Sequence, residues 1–247
     1  MNGGAPIGSR ADQQLVLASS PVRRRLLDLL CDTGTPRDAH ELARVVDLHV
    51  TTVRFHLDIL RRVGLVDAHP QSRAGAGRPR TVYAATPAGH APSGYQMMTG
   101  LLAAHLDDDP TARSVRAERA GVAWAASFPV PPPREGQGPD QAAVSDGAAQ
   151  RVTGLFAELG FDPELTVEGT HAQVRLRACP FRAVALAHPE VICAVHRGLL
   201  RGTLSRLGAP AAAARLDPFV EPHVCLIWLP TADPAAAQAA DAAEPPV

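Results

Sequence analysis

The stretch Asp38 to Ala68, DAHELARVVDLHVTTVRFHLDILRRVGLVDA, places one amphipathic helical pattern directly behind another with a short turn between them. DAHE has the form of a capping box: Asp38 accepts from the free N–H groups of the first turn and Glu41 reaches back. It opens a predicted helix through Val46. After a turn at Asp47–His49, a second predicted helix runs from Val50 to Val63 and stops at Gly64, a natural residue for a left-handed helix end. At 100° per residue, Val53, Leu57 and Leu60 fall on one face of this second helix, and Thr51, Arg54, Phe55, Asp58 and Arg62 on the other. The apolar face needs a core, which the preceding helix and an earlier one, SSPVRRRLLDLLCD, supply. In that earlier helix Ser20 stands as N-cap and Pro21 at the first helical position.

The opposite face then projects outward, as in a helix whose first turn enters the major groove of DNA. Arg54 can fork onto guanine, Thr51 and Thr52 can bond base edges or phosphates, and Phe55 can pack on thymine methyls. Arg62 lies on the same face, whereas His56 lies toward the buried side. Two β-like runs follow, LVDAH and TVYAA, joined by the Gly-rich PQSRAGAGRPR. Arg73, Arg78 and Arg80 of that loop suit the negative potential of a narrow minor groove. A solvated basic loop is the alternative.

Charge agrees weakly with this reading. Residues 1–90 carry a balance of +4 and residues 91–247 one of −5, within a chain total of −1. Apolar content of 46% with 20% charged residues is that of a soluble globular chain. No run is long and apolar enough to span a bilayer, and the start MNGGAPIGSRADQQ lacks the order of an export signal, so a cytoplasmic protein is expected.

The expected organisation is α+β. A winged helix-turn-helix DNA-binding domain occupies residues 12–90, and a helical linker or dimerisation segment residues 91–128. A Pro/Gly linker at 129–142 marks the domain boundary. A C-terminal α/β sensor domain spans 143–231 and a disordered tail 232–247. Within 91–128, Tyr95, Met98, Leu101, Leu102 and Leu106 are candidates for a dimer contact or for packing on their own subunit.

The segment HVTTVRFHLDILRRVGLV resembles the recognition helix and first wing strand of winged helix-turn-helix regulators of the ArsR/DeoR type, with the likeness covering residues 12–90. The resemblance implies a sequence-specific transcription regulator, a repressor acting as a homodimer on a two-fold double-stranded DNA operator.

Three further cysteines lie in the second half, Cys179, Cys193 and Cys225, with 13 and 31 residues between them. Cys193 and His196 are neighbours on one helix face, and Cys225 is read as sharing a strand face with His223. Three thiolates and an imidazole can hold an iron–sulfur cluster or a tetrahedral zinc, but these spacings match no compact metal motif and equally suit unrelated buried cysteines. The segments CPF, VICAVHRGLLRGTL and PFVEPHVC resemble the sensor domain of the SufR branch of the same regulators. That resemblance implies a [4Fe–4S] cluster on Cys179, Cys193 and Cys225, with His196 or His223 as a candidate fourth ligand. A zinc site, a small-molecule site or a purely dimerising domain remain alternatives. Cys193 with His196 also has the form of a nucleophile–base pair. No motif supplies an oxyanion hole or an orienting third group, so an enzyme is not expected.

Overall fold

The computed structural model describes residues 9–71, 80–129, 146–168 and 171–230. Arg73 and Arg78, most of the Pro/Gly linker and the greater part of the loop between the two expected wing strands lie outside them, as does the C-terminal tail. The chain divides into two compact units, Met1–Gly94 and Tyr95–Val247.

In the first unit, α1 (Arg10–Ala18) precedes α2 (Pro21–Thr33), β1 (Arg37–Asp38), α3 (Ala39–Val46) and α4 (Val50–Arg62). The antiparallel strands β2 (Val66–Gln71) and β3 (Arg80–Ala85) follow, then the short α5 (Pro87–His90). Strand order is β1-β3-β2, with Ala68 opposite Tyr83. The caps act as the residue types dictate. The Ser20 side chain accepts from the Arg23 N–H, Asp38 and Glu41 form a reciprocal capping box, and α2 ends on Gly34 at φ 58°. Leu26, Leu30, Leu42, Val53, Leu57 and Leu60 from three helices close the core at 0–1% exposure. Tyr83 is buried among them. Helix α1 begins at Arg10. A second capping box, between Ser9 and Asp12, starts it.

The second unit holds α6 (Gly94–Ala104), α7 (Pro110–Ala125), α8 (Asp146–Glu158), β4 (Pro163–Glu168), β5 (His171–Leu176), α9 (Arg182–Ala187), α10 (Pro189–Arg206), β6 (Arg215–Glu221) and β7 (Val224–Pro230). Its sheet runs β4-β5-β7-β6 and every pairing is antiparallel. The expected α/β arrangement is therefore corrected to α+β for this unit. Sequential strands β4–β5 and β6–β7 pair directly, and among the described residues no parallel crossover is formed. Helix α10 is the hub, buried on several sides through Val191, Ile192, Leu199, Leu200 and Leu204.

The domain boundary expected at 129–142 is also corrected, because α7 is built into the second unit rather than standing as a linker. Its partner is α10, and glycines let the two backbones meet. A Cβ on Gly121 would lie 2.0 Å from the Val195 carbonyl oxygen, and one on Gly198 2.0 Å from that of Glu118. Glu118 of α7 then accepts hydrogen bonds from Arg197, at 2.9 Å, and Arg201 of α10. Of the five dimer candidates, Leu106 packs against its own core, whereas Tyr95, Met98, Leu101 and Leu102 are exposed.

Candidate nucleic-acid interface

Helix α4 presents two unlike faces. Val53, Leu57 and Leu60 are fully buried, while Thr51, Thr52, Arg54, Phe55, Asp58, Arg61 and Arg62 are exposed. Phe55 is 60% exposed, with its ring in a T-shaped contact with that of His56, so it is not tucked into a helix junction. With Asp58, Arg61 and Arg62 it lines an open hollow on the outward face. His56 itself turns inward. Burial, with the Arg23 charge nearby, holds its pKa below the ordinary value, which disfavours its cationic form.

The start of α4 is set by a residue whose type gives little sign of that role. His49 is the N-cap, and its Nδ1 accepts from the Thr51 backbone N–H at 3.3 Å. Because Nδ1 is acting as an acceptor, the Thr51 hydroxyl 2.7 Å away donates to it. The Thr51 hydroxyl is thus engaged in capping, and Thr52 is the threonine that carries its hydroxyl onto the outward face without that task. Arg54 lies with Nη2 3.5 Å from His40 Nε2, which brings α3 into the same surface. Arg44, exposed on α3, and Arg61, bonded to Asp58 at 3.1 Å, add cations that sequence reasoning left out. The signal was present for both. Arg44 follows His40 at helical spacing, and Arg61 stands beside Arg62 in LRR.

Arg80 departs from expectation. It opens β3, but its Nη2 lies 2.7 Å from Asp38 and 3.7 Å from Glu41. Asp38 is buried, which alone would raise its pKa. The Glu41 N–H, the Arg80 charge and the His40 N–H outweigh that and hold the carboxylate below its usual range. Arg80 is therefore drawn to two carboxylates at the foot of the hairpin and not presented as a solvated cation.

The cysteines sit elsewhere. Cys179 and Cys193 are buried and Cys225 is partly buried in the core of the second unit. Burial and then the neighbouring Cys225 push the Cys193 thiol up to about 12. Burial raises Cys225 too, although it accepts from the Phe219 N–H at 3.5 Å. His196 lies among aromatic rings. Its ring stands edge-on to Phe161 at 4.8 Å and is tilted against Phe181 at 5.6 Å, and burial lowers its pKa to about 4. His223 lies in the turn before β7, not on the strand with Cys225. Among the described residues no three His, Cys, Asp or Glu side chains converge as a metal site requires. Cys193 and Cys225 are neighbours within this core.

Among the described residues no helix is long and apolar enough to cross a membrane. No curated protein matches the chain. Residues 17–68, from the end of α1 into β2, match the family model of a helix-turn-helix domain, which supports a DNA-binding transcription regulator of the winged helix-turn-helix kind.

Proposed function

We propose that this protein is a sequence-specific transcription repressor that binds a two-fold DNA operator as a homodimer, with α4 in the major groove. The observation that carries this reading is the split of α4: one face is wholly buried, and the other offers Thr52, Arg54, Phe55 and Arg62 to solvent within a matched helix-turn-helix domain. A guanidinium, a hydroxyl and an aromatic ring on one exposed helix face are the groups that read guanine, phosphate and thymine methyl. Exposed Tyr95, Met98, Leu101 and Leu102 on α6 support pairing with a second copy, since so apolar a helix face is costly to leave in water. Selection of duplexes from a random pool tests the reading. It should return an inverted repeat with half-sites about one helical turn apart. Recovery of unrelated sequences would remove it.

A second reading, favoured by the placement of all three cysteines in one core, is that the second unit senses iron–sulfur or redox status through a [4Fe–4S] cluster on Cys179, Cys193 and Cys225. Cys225 is near enough for its charge to act on the Cys193 thiol. The aromatic setting of His196 weighs against that residue as a ligand. Iron and sulfide in anaerobically prepared protein would support the cluster. Zinc would support a structural site, and neither would leave a small-molecule or dimerising role.

A further inference from the structure

The hairpin that follows α4 is joined to the helices by little backbone. Strand β1 pairs with β3 at two positions only, Arg37 with Tyr83 and Asp38 with Val82. Arg80 lies two residues before Val82, on the same face of its strand, so its side chain returns toward Asp38. Asp38 serves both sides of this junction. One oxygen, Oδ1, caps α3 by accepting from the backbone N–H groups of His40 at 2.8 Å and Glu41 at 2.9 Å. The other, Oδ2, holds Arg80 at 2.7 Å. Glu41 closes the arrangement: Oε2 accepts from the Asp38 N–H at 3.1 Å, and Oε1 lies 3.7 Å from the guanidinium. The Asp38 side chain is only 10% exposed and that of Arg80 28%, so solvent screens this pair far less than a surface ion pair.

We propose that Arg80 is a positioning residue which, through Asp38 and Glu41, fastens the foot of the hairpin to the first turn of α3 so that strand and helices meet DNA as one body. The proposal rests on the DNA-binding reading above. It differs from a phosphate contact because the charge of Arg80 is already matched by carboxylates.

The two roles separate by salt dependence. A side chain that neutralises a phosphate contributes about 0.9 to the slope of log affinity against log salt, whereas one that acts through position changes affinity and leaves the slope alone. The probe is a mixed-sequence DNA duplex, with thermal melts confirming that each variant is folded. Arg80→Met keeps the aliphatic stem, and Asp38→Asn keeps a good N-cap while losing the charge. Each is expected to weaken binding roughly fivefold, equivalent to about 1 kcal/mol, with the slope unchanged. The double variant is expected to bind no worse than either single, and Arg80→Lys to recover part of the loss. A slope lower by about 0.9 in Arg80→Met, a steeper slope in Asp38→Asn, additive losses, or unchanged affinity would each overturn the proposal. Failure of the wild-type chain to bind duplex DNA in a salt-dependent way would instead remove the DNA-binding reading, and is seen before any variant is made.

Discussion

His196 shows how burial decides what a residue can do. The residue is 5% exposed, its ring is flanked by Phe161 and Phe181, and its pKa falls to about 4. The folded chain keeps it neutral, while the unfolded chain takes up its proton near pH 6.5. Below that pH the unfolded state binds more protons at this site, so the contribution of His196 to stability falls as pH drops from about 6.5 and levels off near 4, a loss on the order of 3 kcal/mol. Urea denaturation at neutral and mildly acidic pH checks this, and His196→Phe should flatten the profile; an equal pH dependence in the variant would refute it. The Cys193 thiol, pushed up to about 12, stays protonated at neutral pH for the same reason. The sequence placed Cys193 and His196 on neighbouring points of one helix. It carried no sign that Phe161, before β4, and Phe181, before α9, would close around the imidazole, because that enclosure is tertiary.

At the scale of elements, local chemistry was legible where it was self-contained. The Asp38–Glu41 capping box, Ser20 before Pro21, and the stop at Gly64 act within a few residues, and α2, α3 and α4 follow from them. Elements that depend on distant partners were missed. Strand β6 contains Pro218 and a left-handed Phe219 at φ 52°, and a bulge shifts its register against β7. Such a run reads as a loop until its partner strand is known. The α7–α10 packing was likewise unread, although Gly198 and Gly202 fall four apart on one helix face. Gly198→Ala would set a methyl 2.0 Å from a backbone oxygen that cannot turn aside, and should destabilise the second unit by about 2–4 kcal/mol in a thermal or urea melt. Gly100→Ala meets nothing within 4 Å on α6 and should raise stability by about 0.5–1 kcal/mol. Equal behaviour of the two would contradict the close-packed seam.

Over the whole molecule, the Pro/Gly-rich stretch looked like the division between domains, yet the compact units part at Gly94. Composition marks where a chain lacks a core of its own. It does not say which helices beyond that stretch pack back together, and α7 does so through glycines and Glu118. The outward face of α4 was the most legible part of the candidate site because one helix carries most of it, in one amphipathic period. The ion pairs of Arg80 were not legible because its carboxylate partners, Asp38 and Glu41, stand far earlier in the chain. The central claim is that the outward face of α4 binds duplex DNA, and its most direct test is affinity as a function of salt for the wild-type chain and for Arg54→Ala/Arg62→Ala. The account predicts salt-dependent binding that weakens about tenfold or more in the variant, with a slope shallower by about 0.9 for each phosphate that is no longer neutralised. Affinity and slope equal to those of the wild type would contradict it.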